Sequence, residues 1–433
     1  MSKIKTQELK RTIGTGALGL SVVNMTIGAG IFVVPGVVAA GLGPASFVAY
    51  LMCAGLMILV MLCFAEVGSK ITTSGGSYAY VENAFGPYAG FLINTLFWFG
   101  YAIVADAAIA NAMADMIGTM FPLINEKLMR IVFFVVLFGF FGYINSRGTK
   151  SGTRLMVINT LVKLVPLLVL VDYGIFNIET GNLTIDAWPP IEKYGEMALI
   201  LFFAFGGAES ALGNSGDIIN PQKTIPRGIF LGLISVLVIY LLIQTVAQGV
   251  LGALLPSHAD APLAQVAQVL MGNFGYQLVL IGAIISIYGT LSGDVLATSR
   301  LIFAGAKDKI YPPIFGKLHP KYQTPTFAIG LFVGLLVVLA SSGEFKQLAL
   351  IASSATLIIY LAVALATIKI RLRDKDAYPN SFKLPLGYTI PIVACTVVLW
   401  FLSHITIDEV LALCGFFLLS SLFFWFYSRK KIH

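Results

Sequence analysis

Apolar runs of membrane-crossing length recur from one end of this chain to the other. They fall at about 13–41, 44–68, 87–120, 130–145, 154–173, 194–218, 227–254, 271–304, 325–341, 346–369, 388–404 and 406–428, a pattern of about twelve spans. A helix needs roughly 20 apolar residues to cross a bilayer, so a chain of 433 residues has little left for a soluble domain. Hydrophobic residues make up 58% of the chain and charged residues 11%, whereas a soluble domain carries roughly 25% charge. The sequence therefore reads as an all-α integral membrane protein, a single transmembrane domain over 1–433.

The charges orient the spans. An even number puts both termini on one side. Assigning the ends and alternate loops to the cytoplasm places there all of the 28 Lys and Arg residues except Lys127, Arg130, Lys163, Lys193 and Lys346. That is a strong positive-inside bias, and the expected location is the inner membrane with both termini cytoplasmic. The outer loops instead carry Asp172, Glu179, Asp186 and Glu192. The first apolar run is too long and too interrupted for a cleavable signal. The net charge of +7 points to anionic lipid headgroups rather than to nucleic acid. Cys53, Cys63, Cys395 and Cys414 lie within apolar runs without metal spacing, as packing residues do.

Two apolar runs are poor helices at mid-depth. In the first, Gly28-Ala29-Gly30 removes side-chain bulk, and Pro35 restricts the next turn. Glycine costs about 1 kcal/mol against alanine in a helix interior. Unwound backbone in hydrocarbon is tolerated only where it is buried in protein or lines a cavity. This stretch is either a broken helix facing a ligand or a close small-residue contact between unbroken helices. In the sixth run, Phe203-Ala204-Phe205-Gly206-Gly207-Ala208-Glu209 places a glycine pair and a carboxylate inside the membrane. Runs one and six correspond if spans 1–5 and 6–10 form two halves, about 12–173 and 194–370, with two further helices at about 388–428. Paired glycine-interrupted segments in corresponding halves point to an inverted-repeat transporter with a midplane site.

Four strings, in order along the chain, resemble the amino acid–polyamine–organocation family of secondary transporters. They are TIGAGIFVVPG (Thr26 to Gly36), AEVGSKITTSGGSYAYVENAFGPYAGF (Ala65 to Phe91), FFAFGGAESALGNSGDIINPQKTIPRGI (Phe202 to Ile229) and TSRLIFAGAKDKIYPPIF (Thr298 to Phe315). The resemblance implies the LeuT-type fold: twelve helices, ten of them in two inverted repeats, with helices 1 and 6 broken. It also implies that a substrate carboxylate meets the backbone of Gly28, Ala29 and Gly30. The substrate ammonium would meet carbonyls around Thr26, Ile27, Phe203, Ala204 and Gly206. Half-helix ends supply such partners without ionised side chains. Phe203 and Phe205 would flank the side-chain pocket, although ordinary core packing is the competing reading of both.

Three ions inside the spans carry further expectations. Lys163 lies between Val162 and Leu164, a turn before Pro166. An ionised lysine near the bilayer centre costs roughly 2.5–3.5 kcal/mol on insertion scales and needs a partner or a proton switch. By resemblance it matches a helix-5 lysine that approaches broken helix 1 and takes the place of a sodium ion; the competing reading is snorkelling to the interface. Glu209 resembles a helix-6 glutamate with a gating and proton-sensitive role. Asp106, among Ala105, Ala107 and Ala108, matches a position that faces substrate; its competing reading is a buried structural acid. Asp294 falls where arginine exchangers present a large aromatic, and Phe203 stands where they carry tryptophan. Asp115 and Asp217 lie nearer span ends and read as solvated. Glu66, Lys70 and Glu82, around the Ser74-Gly75-Gly76 loop, read as cytoplasmic gate or structural charges.

The expected function is amino acid transport by alternating access, through proton-coupled uptake or amino acid exchange. The alternative is a polyamine or basic amino acid exchanger, suggested by Asp106, Glu209 and Asp294. A channel is disfavoured by the paired interruptions and by the lack of a ring-forming repeat. No nucleophile–base pair suggests an enzyme, and no catalytic residues are assigned. His258, His319, His404 and His433 are scattered, so no metal or other cofactor is expected. The partners implied are an amino acid substrate, protons and membrane lipids.

Overall fold

In hydrocarbon every backbone polar group must find a partner inside the protein, which favours helices. The computed structural model describes residues 13–71, 76–147, 153–212, 218–307, 310–374 and 381–429. Among these there are helices and no strands; a single parallel bridge joins Ile13 to Ile218. Lys3, Lys5, Lys10, Arg11, Ser74, Gly75, Lys150, Asp217, Lys309, Lys375, Lys430 and Lys431 lie outside the described residues, as do both chain ends.

The order begins with α1 (Thr15–Thr26), α2 (Gly30–Leu42) and α3 (Ser46–Lys70). After α4 (Ser77–Phe85), α5 (Pro87–Thr95) runs through a π-helical segment, Leu96–Ile103, into α6 (Val104–Met120). Next come α7 (Lys127–Arg147), α8 (Thr153–Gly174) and α9 (Ile191–Phe202). Two 3₁₀ turns, Phe203–Phe205 and Ala208–Leu212, follow α9. The chain continues through α10 (Pro221–Leu251), α11 (Pro262–Lys307), α12 (Thr326–Ser342), α13 (Phe345–Arg373), α14 (Thr389–Leu402) and α15 (Ile407–Arg429).

Seven helical stretches among the described residues are long and apolar enough to cross a membrane, from Gly30–Lys70 to Ile407–Phe426. Thr326–Ser342 and Thr389–Leu402 are shorter apolar helices. The first and sixth apolar runs are absent from the long class as single helices because each is interrupted: α1 stops at Thr26 before α2 starts at Gly30, and α9 stops at Phe202. The eighth run starts earlier than its sequence boundary, at Pro262, because a helical segment precedes a kink at Gly272, where φ is 65°.

Packing follows the rules of hydrocarbon, where small residues let backbones approach. Helices α1 and α10 pack together, and a Cβ on Gly232 would lie 2.5 Å from Val22 Cβ and 2.9 Å from the Gly19 carbonyl oxygen. On the periphery, Val136 of α7, Val338 of α12 and Leu419 of α15 are exposed, as lipid-facing residues are. At the end of α3, Glu66 is fully buried and receives Nε of Arg371 at 2.6 Å, Nζ of Lys70 at 2.7 Å and the Leu384 amide at 2.9 Å. This carboxylate ties α3 to α13 and to the segment leading into α14.

Candidate functional site

The site is built where two helices stop. Helix α1 ends at Thr26, and Ile27 leaves helical geometry with φ −73° and ψ 89°. Helix α2 begins at Gly30 with no side-chain cap on its first turn. The N-terminus of α2 thus presents amides and the positive end of its dipole, the arrangement that suits a carboxylate. Downstream of α9, Gly206 is extended with ψ 159°, and Gly207 takes φ +102°, a backbone region that side chains other than glycine disfavour.

These interruptions lie against each other. A Cβ on Gly30 would sit 3.0 Å from Ala204 Cα, and one on Gly207 would sit 2.5 Å from the Met25 carbonyl oxygen. Glycine is therefore demanded at Gly207 twice, by its dihedral and by the neighbouring backbone. The hydroxyl of Tyr240, from α10, donates to the Ala204 carbonyl at 2.7 Å and lies 3.1 Å from the Thr26 carbonyl. One hydroxyl thus faces a carbonyl from each of the two breaks.

Lys163 reaches the same place from α8. It is 3% exposed, and its Nζ donates to the Asn24 carbonyl in the last turn of α1. A cation at a helix C-terminus is favoured by the dipole and by the carbonyls left over there. Its burial rules out snorkelling to an interface.

Glu209 is also buried, at 7% exposed. Its Oε2 accepts the Tyr360 hydroxyl at 2.6 Å and the Gly207 amide at 3.2 Å, while Oε1 meets no donor. The Thr26 hydroxyl and Oδ2 of Asp106 are likewise buried without a hydrogen-bond partner. Asp106 occupies the first turn of α6, directly after the π segment. Asp294, on α11, is half-buried, and α11 packs against α6.

The aromatics separate. Phe203 is half-buried at the second break, edge-on to Phe345 with centroids 5.6 Å apart. Phe205 is fully buried between Tyr50 and Tyr240, at 6.4 and 5.1 Å, so it is a packing residue and not a pocket wall. Asp115, read as solvated, is part-exposed and pairs with Arg130 at 2.7 Å.

Three tyrosines escaped the sequence reading: Tyr101, Tyr240 and Tyr360. The Tyr101 oxygen sits 3.1 Å from where a Cβ on Gly206 would be. Its π-helical segment is the one available signal, since such segments cluster at functional sites, but nothing in the residues marks it in advance. An aromatic cavity of about 350 Å³ lies elsewhere, lined by residues including Trp98, Tyr311, Phe315 and Phe416.

Residues 13–426 match the amino acid permease family. The chain belongs to this family. It is 27% identical to a methylthioribose transporter of Bacillus subtilis (strain 168), over 98% of this chain and 95% of that protein. A serine/threonine exchanger of the same strain is also 27% identical, over 96% and 95%. A branched-chain amino acid permease, again of that strain, is 25% identical over 98% and 94%. The permease is thus a multi-pass, all-helical membrane protein of the amino acid–polyamine–organocation superfamily.

Proposed function

We propose that this permease is a secondary active transporter that carries an amino acid across the inner membrane by alternating access. Proton-coupled uptake or amino acid exchange is the mode. In this reading the chain crosses the membrane in about twelve spans, with LeuT-type inverted repeats and both termini in the cytoplasm.

The observation that carries the reading is the contact between the two interruptions, shared through Tyr240. It sets the uncapped start of α2 near the carbonyls of Thr26 and Ala204. A zwitterion needs both kinds of partner at once, amides for its carboxylate and carbonyls for its ammonium. The substrate carboxylate then meets Gly28, Ala29 and Gly30, and the ammonium meets carbonyls around Thr26, Ile27, Phe203, Ala204 and Gly206. Phe203 and Asp106 face the substrate side chain. Lys163 and Glu209 serve proton coupling or gating; a charged Lys163 at the end of α1 speaks against a sodium ion in that place.

A polyamine or basic amino acid exchanger is the second reading, favoured by three acids inside the spans, Asp106, Glu209 and Asp294. The relatives differ in the substrates their names give, so membership of the family does not choose among them. Uptake into proteoliposomes decides, with radiolabelled serine, leucine, arginine, putrescine and methylthioribose compared side by side. Uptake of a neutral amino acid supports the main reading. Uptake of arginine or putrescine alone replaces it with the second, and uptake of methylthioribose alone overturns both.

A further inference from the structure

Helix α15 meets the rest of the bundle through aromatic rings with a gap between them. Phe416 and Phe423 stand two turns apart along α15, roughly 10 Å by the helical rise. Phe416 stacks on Phe99 of the π segment with centroids 6.0 Å apart, and Phe423 stacks on Phe91 of α5 at 6.1 Å. Between the two stacks α15 offers Ser420, too short to reach across, and the cavity of about 350 Å³ opens there. Trp98, Ile302 and Tyr311 form its inner wall, and all three are buried. Leu419 and Phe423, on its outer side, are exposed, so the cavity communicates with the hydrocarbon around the bundle.

We propose that this cavity binds an acyl chain of an anionic phospholipid, whose headgroup meets Lys307 and Lys317.

A void of this size in a packed protein forfeits dispersion contacts along every wall. It is also large enough for a ligand, since such cavities begin at about 300 Å³. Water does not fill it, because an apolar cavity stays dry unless polar groups hold each molecule. Among the described residues, no charged one lines it. The polar groups of its inner wall are engaged with one another. The Trp98 indole donates to the Tyr311 hydroxyl at 2.8 Å, that hydroxyl lies 3.1 Å from the Thr95 hydroxyl, and Thr95 reaches the Phe91 carbonyl at 2.9 Å. An amino acid zwitterion therefore finds no partner here, whereas a methylene chain needs none. Lipid tails are the solvent on this face of the protein, and they meet the cavity first.

The walls also fix its depth. Phe91 lies in the first turns of α5, Ile302 in the last turns of α11, and Tyr311 and Phe315 in the connection between α11 and α12. These put the cavity near one end of the bundle, where tails give way to headgroups. The connection is basic: residues 300–321 hold Arg300, Lys307, Lys309, Lys317 and Lys321 against Asp308 alone. Lys307, its Nζ 5.5 Å from the Phe303 ring centroid, and Lys317, just past Phe315, are both exposed. Ammonium groups at a membrane surface favour anionic lipid.

The test uses fluorescence in vesicles of phosphatidylglycerol whose acyl chains carry bromine, which quenches indole on contact. The chain has four tryptophans. One variant keeps Trp98 alone (Trp188→Phe, Trp400→Phe, Trp425→Phe), and a second keeps only the exposed Trp425. Trp98 is buried, so a chain must enter the cavity to quench it. We expect both tryptophans to be quenched. Ser420→Phe, which fills the slot, should abolish quenching of Trp98 and leave that of Trp425. The quenched signal lost between wild type and Trp98→Phe reads the same quantity without the triple substitution. Unbrominated phosphatidylglycerol should displace the quencher better than phosphatidylcholine with the same chains. Lys307→Gln and Lys317→Gln should each cut that preference about fivefold. Unquenched Trp98 beside a quenched Trp425 overturns the proposal, as does quenching of Trp98 that survives Ser420→Phe. Unquenched Trp98 together with disulfide formation between copies through Leu419→Cys assigns the cavity to a second copy of this chain instead. Equal displacement by the two lipids overturns the headgroup contact. The measurement needs no substrate, so its failure leaves the transport reading standing.

Discussion

Lys163 on α8 donates its ammonium hydrogen to the backbone carbonyl of Asn24 on α1. Through this bond a buried cation closes the end of a half-helix next to the proposed substrate site. The stretch of α1 from Asn24 to Thr26 is thus held by Lys163 on one side and by Tyr240 on the other. Breaking either bond loosens the α1 end of the first break.

Lys163→Ala removes the cation from the α1 terminus. Transport is expected to fall by about tenfold or more and to lose its pH dependence, because the charge that stabilises the carbonyl end of the helix is gone. Initial rates across external pH check this. A variant with wild-type rate and wild-type pH profile would remove Lys163 from the mechanism.

Tyr240→Phe deletes one oxygen and keeps the ring between Tyr50 and Phe205. The carbonyls of Ala204 and Thr26 lose their shared donor, at a cost of about 1–3 kcal/mol. The variant should melt at lower temperature and bind substrate more weakly. Thermal unfolding measured with and without substrate reads both effects.

Gly28 and Gly207 should respond differently to alanine. At Gly28 a Cβ meets nothing nearer than the Thr26 carbonyl oxygen at 3.9 Å, whereas at Gly207 it meets Met25 at 2.5 Å with φ at +102°. Gly28→Ala is expected to keep the melting temperature and lose substrate affinity, since the new methyl occupies the proposed carboxylate site. Gly207→Ala is expected to lose about 1–3 kcal/mol of stability from backbone strain alone, with more from the clash. Equal stability of the two proteins would contradict the assignment of their roles.

Arg371→Ala leaves a buried carboxylate with only part of its partners. Removing one side of a buried ion pair typically costs about 3–5 kcal/mol. Glu66 retains Lys70 and the Leu384 amide, so the loss should lie toward the lower end. Glu66→Gln in the same background takes the carboxylate from the nearly buried Lys70 and should lower stability further. Melting temperatures of the single and double variants check this.

Much of the architecture is legible in the residues because hydrocarbon imposes a simple rule, long apolar runs between charged loops. The helix interruptions are also marked locally: Gly28-Ala29-Gly30 and Gly206-Gly207 are weak helix formers, and they stand where α1 and the segment after α9 lose regular geometry. Lys163 stands out because a cation inside an apolar run demands a partner, although its partner, a backbone carbonyl of α1, has no residue signature. The tyrosines were not legible. In a membrane helix a tyrosine is ordinary, and only the fold shows that Tyr240 bridges two breaks or that Tyr360 meets Glu209. Nor could the sequence join Glu66 to Arg371, since this pair forms between helices far apart in the chain.

The central claim is that peptide groups at two facing helix breaks hold the substrate. Its most direct test is a structure determined with a transported amino acid bound. The account predicts the carboxylate at the amides of Gly28 to Gly30 and the ammonium at carbonyls of Thr26 and the Phe203–Gly206 stretch. Ligand density in the aromatic cavity beside Trp98 and Tyr311, with the two breaks empty, would contradict it.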